Sequence, residues 1–484
     1  MGNKIKFGRK AAGDYPLGRM LASQLRHPGV MVPLLGIPAL AVYVHREGWL
    51  WLLVATGVLV VMLAVWGWKS PASLRNVVVY RVKAWYRRWF RYAPRWWLWM
   101  GRLGLSVTDE MTGWILRPRI LKVRSTGCID SLLLDLPLGV RAQQVIEAVE
   151  DLRHAGKARR VSVRELEPGR VWVDFYTADP LRKTVSLIPH PVRLRVEDLD
   201  NLILGYCEDG TPWRIKVVGR HIFVCGVTGA GKSSVLWALL WALAPYIRAG
   251  LVVVHGIDPK GGMELEWGRE LFERYEADDY EAMAELLEAD ADYLDDRTKL
   301  LRGKARTFTP SQETPFVLIV IDELMQLTVL LPGTEGRRIS ARIDVALGRL
   351  LGKGRAPGYS VFATSLLVTK DVVTWRELFP TKIAMRLDNE AQVEMSLGEG
   401  ARDLGAECDR IPDSMPGVAY ILQEGRKEPV RVRAAYVSDN QIRHMATTFG
   451  PHREIEGADV ALINPNTVAG QILDGDLVQD GEAA

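Results

Sequence analysis

A glycine-rich octapeptide is the stretch of this sequence best suited to bind phosphate. Residues 226–233 read GVTGAGKS and match the GxxxxGK[ST] pattern at every position. Glycines at this spacing let backbone N–H groups surround phosphate oxygens, and the helix that follows adds its positive N-terminal end. Lys232 is expected to reach the β- and γ-phosphates of ATP, and the Ser233 hydroxyl to bind Mg²⁺. The predicted nucleotide-binding residues are Gly226, Val227, Thr228, Gly229, Ala230, Gly231, Lys232, Ser233 and Ser234.

Two adjacent carboxylates follow a wholly apolar run further along the chain. The run is 316–321, FVLIVI, and Asp322 and Glu323 come directly after it. A buried strand would deliver both side chains to its carboxyl end, where doubly wound sheets bind ligands. Asp322 is expected to hold Mg²⁺, and Glu323 to orient and polarise the attacking water. An apolar run ending in Asp-Glu is common, so this interpretation depends on the phosphate loop upstream.

Two other predicted strands end in polar residues that could face the same crevice. Asp258 and Lys260 follow the second strand, and Thr364 and Ser365 end the fourth. The two hydroxyls could sense the γ-phosphate, although a structural role explains them equally well. For Asp258 and Lys260 a capped turn is nearly as good an explanation.

The elements that would position these groups alternate between strand and helix. Apolar strands separated by helices are typical of an α/β fold with a parallel sheet covered on both faces. Residues 191–215 are interpreted as a linker into this domain. The predicted strands are 221–225, 251–257, 316–321, 360–364, 382–387, 417–422 and 430–437, and the predicted helices are 232–243, 264–295 and 338–351.

The first 104 residues differ from the remainder in charge and tryptophan content. They hold 16 Lys/Arg against 2 Asp/Glu, and nine of the 16 Trp. After a basic N-terminus, 1–28, come two apolar runs, 29–45 and 49–68; the second is long enough to cross a bilayer and has Trp near both ends. Because Lys and Arg concentrate outside the intervening turn, the pattern predicts a transmembrane hairpin with both termini cytoplasmic. A buried helix pair is the alternative, and the shorter first run could be re-entrant.

The next segments suggest three further parts of the chain. Residues 69–104 mix Arg with aromatic residues, which favours a juxtamembrane helix in the lipid headgroup layer over a nucleic-acid-binding segment. Residues 105–195 combine an amphipathic stretch with short alternating runs and predict a small α+β domain. The phosphate-binding domain is assigned to 196–437, and 438–484 to an acidic tail. The four cysteines form no CxxC pair, so neither a metal nor a disulfide framework is expected.

The order of the motifs resembles the FtsK/SpoIIIE family of DNA translocases over about 204–437, particularly the conjugation motors of actinomycete mobile elements. The matching stretches are the phosphate loop, IDPK, VIDE and GRAPG-YSVFAT. The resemblance implies a RecA-like motor domain, a homo-hexamer with ATP at its subunit interfaces, and double-stranded DNA in the pore. The sequence departs from the family where ATQRP is usual, since Ser365 replaces the glutamine. No stretch of this sequence is expected to form the winged-helix domain of chromosomal members.

DNA contacts and a trans-acting arginine are assigned on the same resemblance. Arg386 is the nearest candidate for an arginine that completes a neighbouring subunit's site. The loop 332–338 corresponds to a DNA-facing loop, and a solvated surface is the alternative for any single cation near it. The candidate DNA-contacting cations are Arg337, Arg338, Arg342, Arg349, Lys353 and Arg355, with a second cluster at Arg297, Lys299, Arg302, Lys304 and Arg306.

These observations together predict a membrane-anchored, ATP-driven hexamer that moves double-stranded DNA during conjugal transfer. The cell membrane is the expected location, and other transfer proteins of the mobile element are possible partners. Three alternatives remain open at this point: a protein-secretion motor, a coupling protein for single-stranded DNA, and a membrane scaffold that binds ATP without hydrolysing it.

Overall fold

The computed structural model describes residues 50–109, 113–191, 193–303, 308–366, 376–425 and 428–451. The chain divides into two compact units, Met1–Asp179 and Pro180–Ala484. The predicted basic N-terminus and the first predicted transmembrane helix, 29–45, lie outside the described residues, as does most of the predicted acidic tail.

Helices begin the described part of the first unit. The segment predicted as the second transmembrane helix, 49–68, is helical over nearly the same range. In the part of the chain that the structure describes, no helix has both the length and the hydropathy needed to cross a membrane. The helices are α1 (Leu50–Lys69), α2 (Pro71–Leu74), α3 (Tyr80–Tyr86) and α4 (Ala93–Arg102), with π-helical turns at Arg75–Val79 and Arg87–Tyr92.

A four-stranded antiparallel sheet with two helices completes the first unit. The strand order is β3-β4-β6-β5, and a separate short hairpin pairs β1 with β2. The elements are β1 (Val107–Thr108), β2 (Ile115–Leu116), β3 (Arg119–Ser125), β4 (Ile129–Asp135), α5 (Ala142–Glu147), α6 (Val149–Gly156), β5 (Arg160–Glu167) and β6 (Arg170–Tyr176).

Aromatic residues of the 69–104 segment form part of this unit's core. Tyr92, Trp96 and Trp99 are each at most 8% exposed, and they pack with residues of the sheet and of α5 and α6. The Tyr92 hydroxyl donates to Asp130 at 2.8 Å, and Trp96 Nε1 donates to the Pro118 carbonyl at 2.7 Å. A position in the lipid headgroup layer is therefore wrong for these three side chains, because protein already surrounds them.

The second unit is built on a ten-stranded sheet of order β11-β10-β12-β13-β9-β14-β15-β16-β7-β8. Its strands are β7 (Leu202–Cys207), β8 (Pro212–Ile215), β9 (Ile222–Cys225), β10 (Val252–Ile257), β11 (Arg274–Glu276), β12 (Phe316–Ile321), β13 (Tyr359–Ser365), β14 (Thr381–Ala384), β15 (Val418–Gln423) and β16 (Val430–Ala434). Its helices are α7 (Lys232–Arg248), α8 (Tyr280–Leu301), α9 (Leu324–Thr328), α10 (Gly333–Lys353), α11 (Glu390–Leu397) and α12 (Asp439–Phe449), with 3₁₀ turns at Val196–Asp200, Leu265–Leu271 and Cys408–Arg410.

The sheet is mixed, which corrects the prediction of a wholly parallel one. In the order in which the strands lie in the sheet, every neighbouring pair from β11 through β10, β12, β13 and β9 to β14 is parallel. Every neighbouring pair from β14 through β15, β16 and β7 to β8 is antiparallel. The predicted linker, 191–215, is also wrong in part, because it contributes β7 and β8 to the antiparallel half. The beginning of the predicted acidic tail forms α12, which buries Met445 and Phe449 in the core of this unit.

Strand apolarity and helix packing explain why the parallel half is so well buried. All six residues of β12 are buried, as are the four of β9. Helix α7 lies against the sheet with twelve buried residues, which a helix covered on most of its surface requires. The carboxyl ends of β9, β10, β12 and β13 consequently lie along one edge of a rigid layer.

A buried histidine makes the stability of this layer depend on pH. His221 precedes β9 and is 3% exposed; its Nδ1 accepts the Val361 N–H at 3.0 Å, and burial lowers its pKa to about 4. As pH falls through about 6.5, the unfolded chain takes up a proton that native His221 does not take up until about pH 4. We therefore expect His221 to reduce the free energy of unfolding by about 2 kcal/mol at pH 5 relative to neutral pH.

Urea unfolding at neutral pH and at about pH 5 measures this effect, with His221→Asn as the matched variant. Asn keeps an acceptor near the Val361 N–H but does not titrate. The loss on acidification should be smaller in this variant than in the wild type, and equal losses would contradict the assignment.

Candidate nucleotide-binding site

The phosphate loop connects β9 to α7, as the sequence predicts. Gly229 and Gly231 have φ of +75° and +96°, in the left-handed region that favours glycine. A Cβ on Gly231 would lie 2.3 Å from the backbone N of Gly417, and the Gly417 N–H donates to the Ala230 carbonyl at 2.9 Å. The loop is therefore held in shape by its own glycines and by the residue that precedes β15.

The two polar residues that end the phosphate-loop motif have different partners. Lys232 Nζ donates to the Gly226 carbonyl at 2.7 Å, and burial lowers the pKa of this ammonium. The Ser233 hydroxyl donates to Glu264 Oε2 at 2.6 Å, and Trp237 Nε1 donates to the other oxygen of the same carboxylate at 2.7 Å. Burial raises the pKa of Glu264. Glu264 is a site residue that the sequence analysis missed.

Asp322 and Glu323 lie at the carboxyl end of β12, beside the end of β13. Both are buried, at 6% and 2% exposure. Thr364 links them, because its hydroxyl donates to Asp322 Oδ1 at 3.0 Å and accepts the Glu323 backbone N–H at 3.1 Å. The structure thus gives Thr364 a positioning contact with the predicted catalytic pair; the predicted γ-phosphate contact of Thr364 stays a prediction.

Glu323 is held in an unusual backbone conformation. Its φ and ψ are +81° and +76°, a left-handed conformation that is costly for a non-glycine residue and is often found at functional sites. The carboxylate accepts the Leu366 N–H at 3.0 Å and the Ser365 hydroxyl at 3.2 Å. Ser365, which replaces the glutamine usual in the family pattern, therefore contacts the predicted water-activating group.

The turn after β10 brings a lysine to the same carboxylates. Lys260 Nζ lies 3.1 Å from Asp322 Oδ2 and 3.5 Å from Glu323 Oε2. Burial alone would lower the pKa of Lys260, but Asp322 and then Glu323 outweigh it, so the pKa is raised. Asp258 accepts backbone N–H groups of Lys260 and Glu264 at 3.1 and 3.0 Å, which is the capped turn considered for this residue.

Arg386 lies beside the phosphate loop of its own chain. Its Nη2 donates to the Thr228 carbonyl at 3.1 Å, and its Nη1 pairs with Asp413 at 2.8 Å. The pairing of β14 with β9 explains this position, since Arg386 follows β14 and the loop follows β9. An arginine that acts on a neighbouring subunit has to point away from its own nucleotide site, so this placement does not fit the trans-acting role predicted for Arg386.

The residues present fit ATP and Mg²⁺. Gly229 and Gly231 give the loop 226–231 its left-handed turns, and a Cβ on Gly231 would collide with the Gly417 backbone, so the loop has the glycines that a phosphate-binding turn requires. Ser233 and Asp322 supply hydroxyl and carboxylate oxygens, the hard ligands that Mg²⁺ prefers. The donors at this site are therefore of the kinds that a nucleotide and its magnesium ion require.

Several cations predicted to contact DNA instead make ion pairs with α8. Arg342 pairs with Glu281 and Glu288. Arg349 pairs with Asp292 at 2.8 Å and with Asp295 at 2.7 Å. Lys353 also pairs with Asp295, and Arg297 donates to two backbone carbonyls. The predicted loop 332–338 is largely the first part of α10. Lys304 and Arg306 lie outside the described residues.

Thr364 allows a test of the positioning contact. Thr364→Val keeps the shape of the side chain but removes the hydroxyl that joins Asp322 to the Glu323 backbone. We expect ATP turnover to fall about tenfold or more, because a misplaced catalytic group loses much of its effect. Thr364→Ser is the control and should retain most activity. Equal turnover in the Val variant and the wild type would contradict the contact's importance.

Several known proteins are similar to this chain over ranges that include the phosphate loop. Residues 209–307 match the model of the FtsK/SpoIIIE family. The chain is 28% identical over 348 residues to transfer protein TraSA of Streptomyces ambofaciens, covering 66% of this chain and 79% of TraSA. It is 23% identical over 392 residues to DNA translocase FtsK 1 of Neisseria meningitidis serogroup A, covering 69% of this chain and 45% of that protein. The pCW3 conjugation coupling protein TcpA with ATPγS aligns over 72% of this chain and 97% of its own at 19% identity and TM-score 0.48.

The fold and the site define a P-loop ATPase. Residues 209–307 match the FtsK/SpoIIIE family model, which confirms the resemblance drawn from the motifs over that range. The chain spans 79% of TraSA but less than half of the FtsK translocases it matches.

Proposed function

We propose that this chain is a hexameric ATPase that moves double-stranded DNA through its ring during conjugal transfer of a mobile element. The proposal depends on the nucleotide site together with the similarity to a transfer protein, which covers 66% of this chain. The relatives named FtsK are DNA translocases, which supports DNA as the substrate.

The residues of the site would divide the work of hydrolysis. Backbone N–H groups of the phosphate loop would hold phosphate oxygens, and Lys232 would leave the Gly226 carbonyl to bind the terminal phosphates. Ser233 and Asp322 would hold Mg²⁺, which would supply positive charge to offset the charge that develops on the phosphates. Glu323 accepts a hydrogen bond from the attacking water and orients it toward the γ-phosphate. Thr364 and Ser365 keep Asp322 and Glu323 in place for that step.

We further propose attachment to the cell membrane, with both termini in the cytoplasm. The support is the charge pattern of the first 104 residues and the many exposed apolar side chains of α1, which include Leu53, Val58, Val61 and Met62. Other transfer proteins of the element are possible partners at the membrane.

Two arginines are candidates for contacts with the DNA phosphate backbone. Arg302 and Arg337 are exposed and have no ion pair among the described residues.

ATP hydrolysis by the purified full chain tests the proposal. The ATP turnover of the wild type is measured without DNA, with duplex DNA and with single-stranded DNA. Lys232→Ala is the control, because this variant should lose the ATP turnover that belongs to this site. Strong stimulation by duplex of any sequence supports a double-stranded DNA translocase. Stimulation only by single strands indicates a coupling protein, basal turnover without stimulation indicates a secretion motor, and binding without turnover indicates a scaffold.

A further inference from the structure

One turn contacts both groups expected to bind Mg²⁺. The turn 258–264 follows β10, and β10 pairs with β12 in a register that sets Ile257 opposite Ile321. The turn therefore lies next to Asp322 and Glu323. Lys260 reaches Asp322 from one end of the turn, and Glu264 reaches the Ser233 hydroxyl from the other.

The conformation of this turn is fixed by its own hydrogen bonds and glycines. Asp258 is fully buried, and its two carboxylate oxygens accept N–H groups of Lys260, Glu264 and Leu265 at 3.0–3.1 Å. Gly261 and Gly262, between Lys260 and Glu264, have φ of +70° and +75°. Since the backbone is held at both ends, Lys260 and Glu264 are presented to the site at a constant separation.

Lys260 occupies space beside Asp322 that a metal ion would need. Its ammonium nitrogen is 3.1 Å from Asp322 Oδ2, whereas Mg²⁺ would lie about 2.0–2.1 Å from such an oxygen. A lysine and a divalent cation repel each other at this range, so Lys260 opposes the binding of a metal ion to the same carboxylate oxygen. Without a cation, two adjacent buried carboxylates would repel each other, and Lys260 offsets that repulsion.

We propose that Lys260 is a cation placeholder, which offsets part of the negative charge of Asp322 and Glu323 until Mg²⁺ displaces it, and that Glu264 positions the Ser233 hydroxyl for the same ion. The proposal rests on the ATPase function above. The Ser233 hydroxyl donates its hydrogen bond to Glu264, so the lone pairs of the hydroxyl oxygen are left for the metal. Both are positioning residues: Lys260 opposes metal binding in the absence of nucleotide, and Glu264 favours it.

Mn²⁺ binding to the full chain without nucleotide tests this, because free Mn²⁺ is followed directly by electron paramagnetic resonance. Lys260→Gln removes the competing charge and should tighten Mn²⁺ binding about tenfold. Lys260→Arg keeps the charge and should bind within about twofold of the wild type. Adding Asp322→Asn to Lys260→Gln should abolish the gain, which assigns it to this site and not to acidic residues elsewhere.

Glu264→Gln is a second variant with the opposite expected sign, a several-fold weaker Mn²⁺ affinity. The placeholder role is overturned if Lys260→Gln binds Mn²⁺ no more tightly than the wild type, or if Lys260→Arg gains as much. The role of Glu264 is overturned if Glu264→Gln binds as the wild type does. ATP turnover is assayed separately, so tighter Mn²⁺ binding in a chain that does not hydrolyse ATP would reject the function and keep the placeholder.

Discussion

Replacing Glu323 with Gln is expected to lower the ATP turnover number at least a hundredfold while ATP binding is retained. The carboxylate is 2% exposed and lies beside Asp322, where it can accept a hydrogen bond from the attacking water. Removing a general base or water-orienting group costs roughly 10²–10⁴ in rate. Among the described residues no hydrogen bond or ion pair joins this side chain to the phosphate loop, and its charge acts on Lys232 only through space, so nucleotide affinity should change little.

Steady-state hydrolysis and binding of a fluorescent ATP analogue separate these two effects. Glu335→Gln is the matched control, because Glu335 is exposed on α10 and pairs only with Arg338 among the described residues. It loses the same charge outside the site and should behave like the wild type. Turnover within about threefold of the wild type in Glu323→Gln would assign water activation to another group.

Gly231→Ala is expected to abolish nucleotide binding and to destabilise the second unit. The new Cβ would lie 2.3 Å from the Gly417 backbone nitrogen, and φ at this position is +96°. A methyl group at that distance forces the loop or the start of β15 to move. Strain and overpacking of this kind cost about 2–4 kcal/mol together, and displaced N–H groups no longer surround the phosphates.

Gly229→Ala is the control that introduces backbone strain at a positive φ without a steric collision. Its φ is also positive, at +75°, but the nearest atom to a new Cβ is Arg386 Nη2 at 3.9 Å. This control should lose about 1 kcal/mol of stability and keep measurable affinity. Thermal unfolding and analogue binding report both quantities. Equal losses of affinity in the two variants would show that the approach to Gly417 is not what makes Gly231 necessary.

Local patterns were sufficient to predict the phosphate loop and the parallel strands other than β11. The run 316–321 coincides with β12, and the loop follows β9 and precedes α7. A buried strand must be apolar on both faces, and a phosphate-binding turn needs glycines at fixed positions, so both leave a strong signal in the sequence.

The antiparallel half leaves a weaker signal. Strand β8 alternates between exposed and buried residues, and the Asp209-Gly210 turn before it is a hairpin signal that lies inside the predicted linker 191–215. The predicted helix 264–295 is interrupted by β11, and α8 begins only after Asp279, whose side chain accepts the Glu281 N–H. A capping aspartate inside a polar stretch is hard to distinguish from a helical residue.

Contacts between distant segments were beyond the sequence analysis. Glu264 reaches Ser233 across 31 positions, and nothing near it in the sequence distinguishes it from other glutamates. Arg386 is placed by the pairing of β14 with β9, so its position depends on strand order. The acidic face of α8 opposite Arg342 and Arg349 is visible in the sequence as charge complementarity, but only once the two helices are known to be neighbours.

The bond between Ala230 and Gly417 gives the nucleotide loop a mechanical attachment. Gly417 leads into β15, which is bonded on one side to β14 and on the other to β16. A displacement of the phosphate loop is therefore transmitted to the antiparallel hairpin of β15 and β16, which is hydrogen-bonded along its length. In a motor, such stiffness converts a small movement at the phosphates into strain carried by strands that hold none of the predicted catalytic side chains.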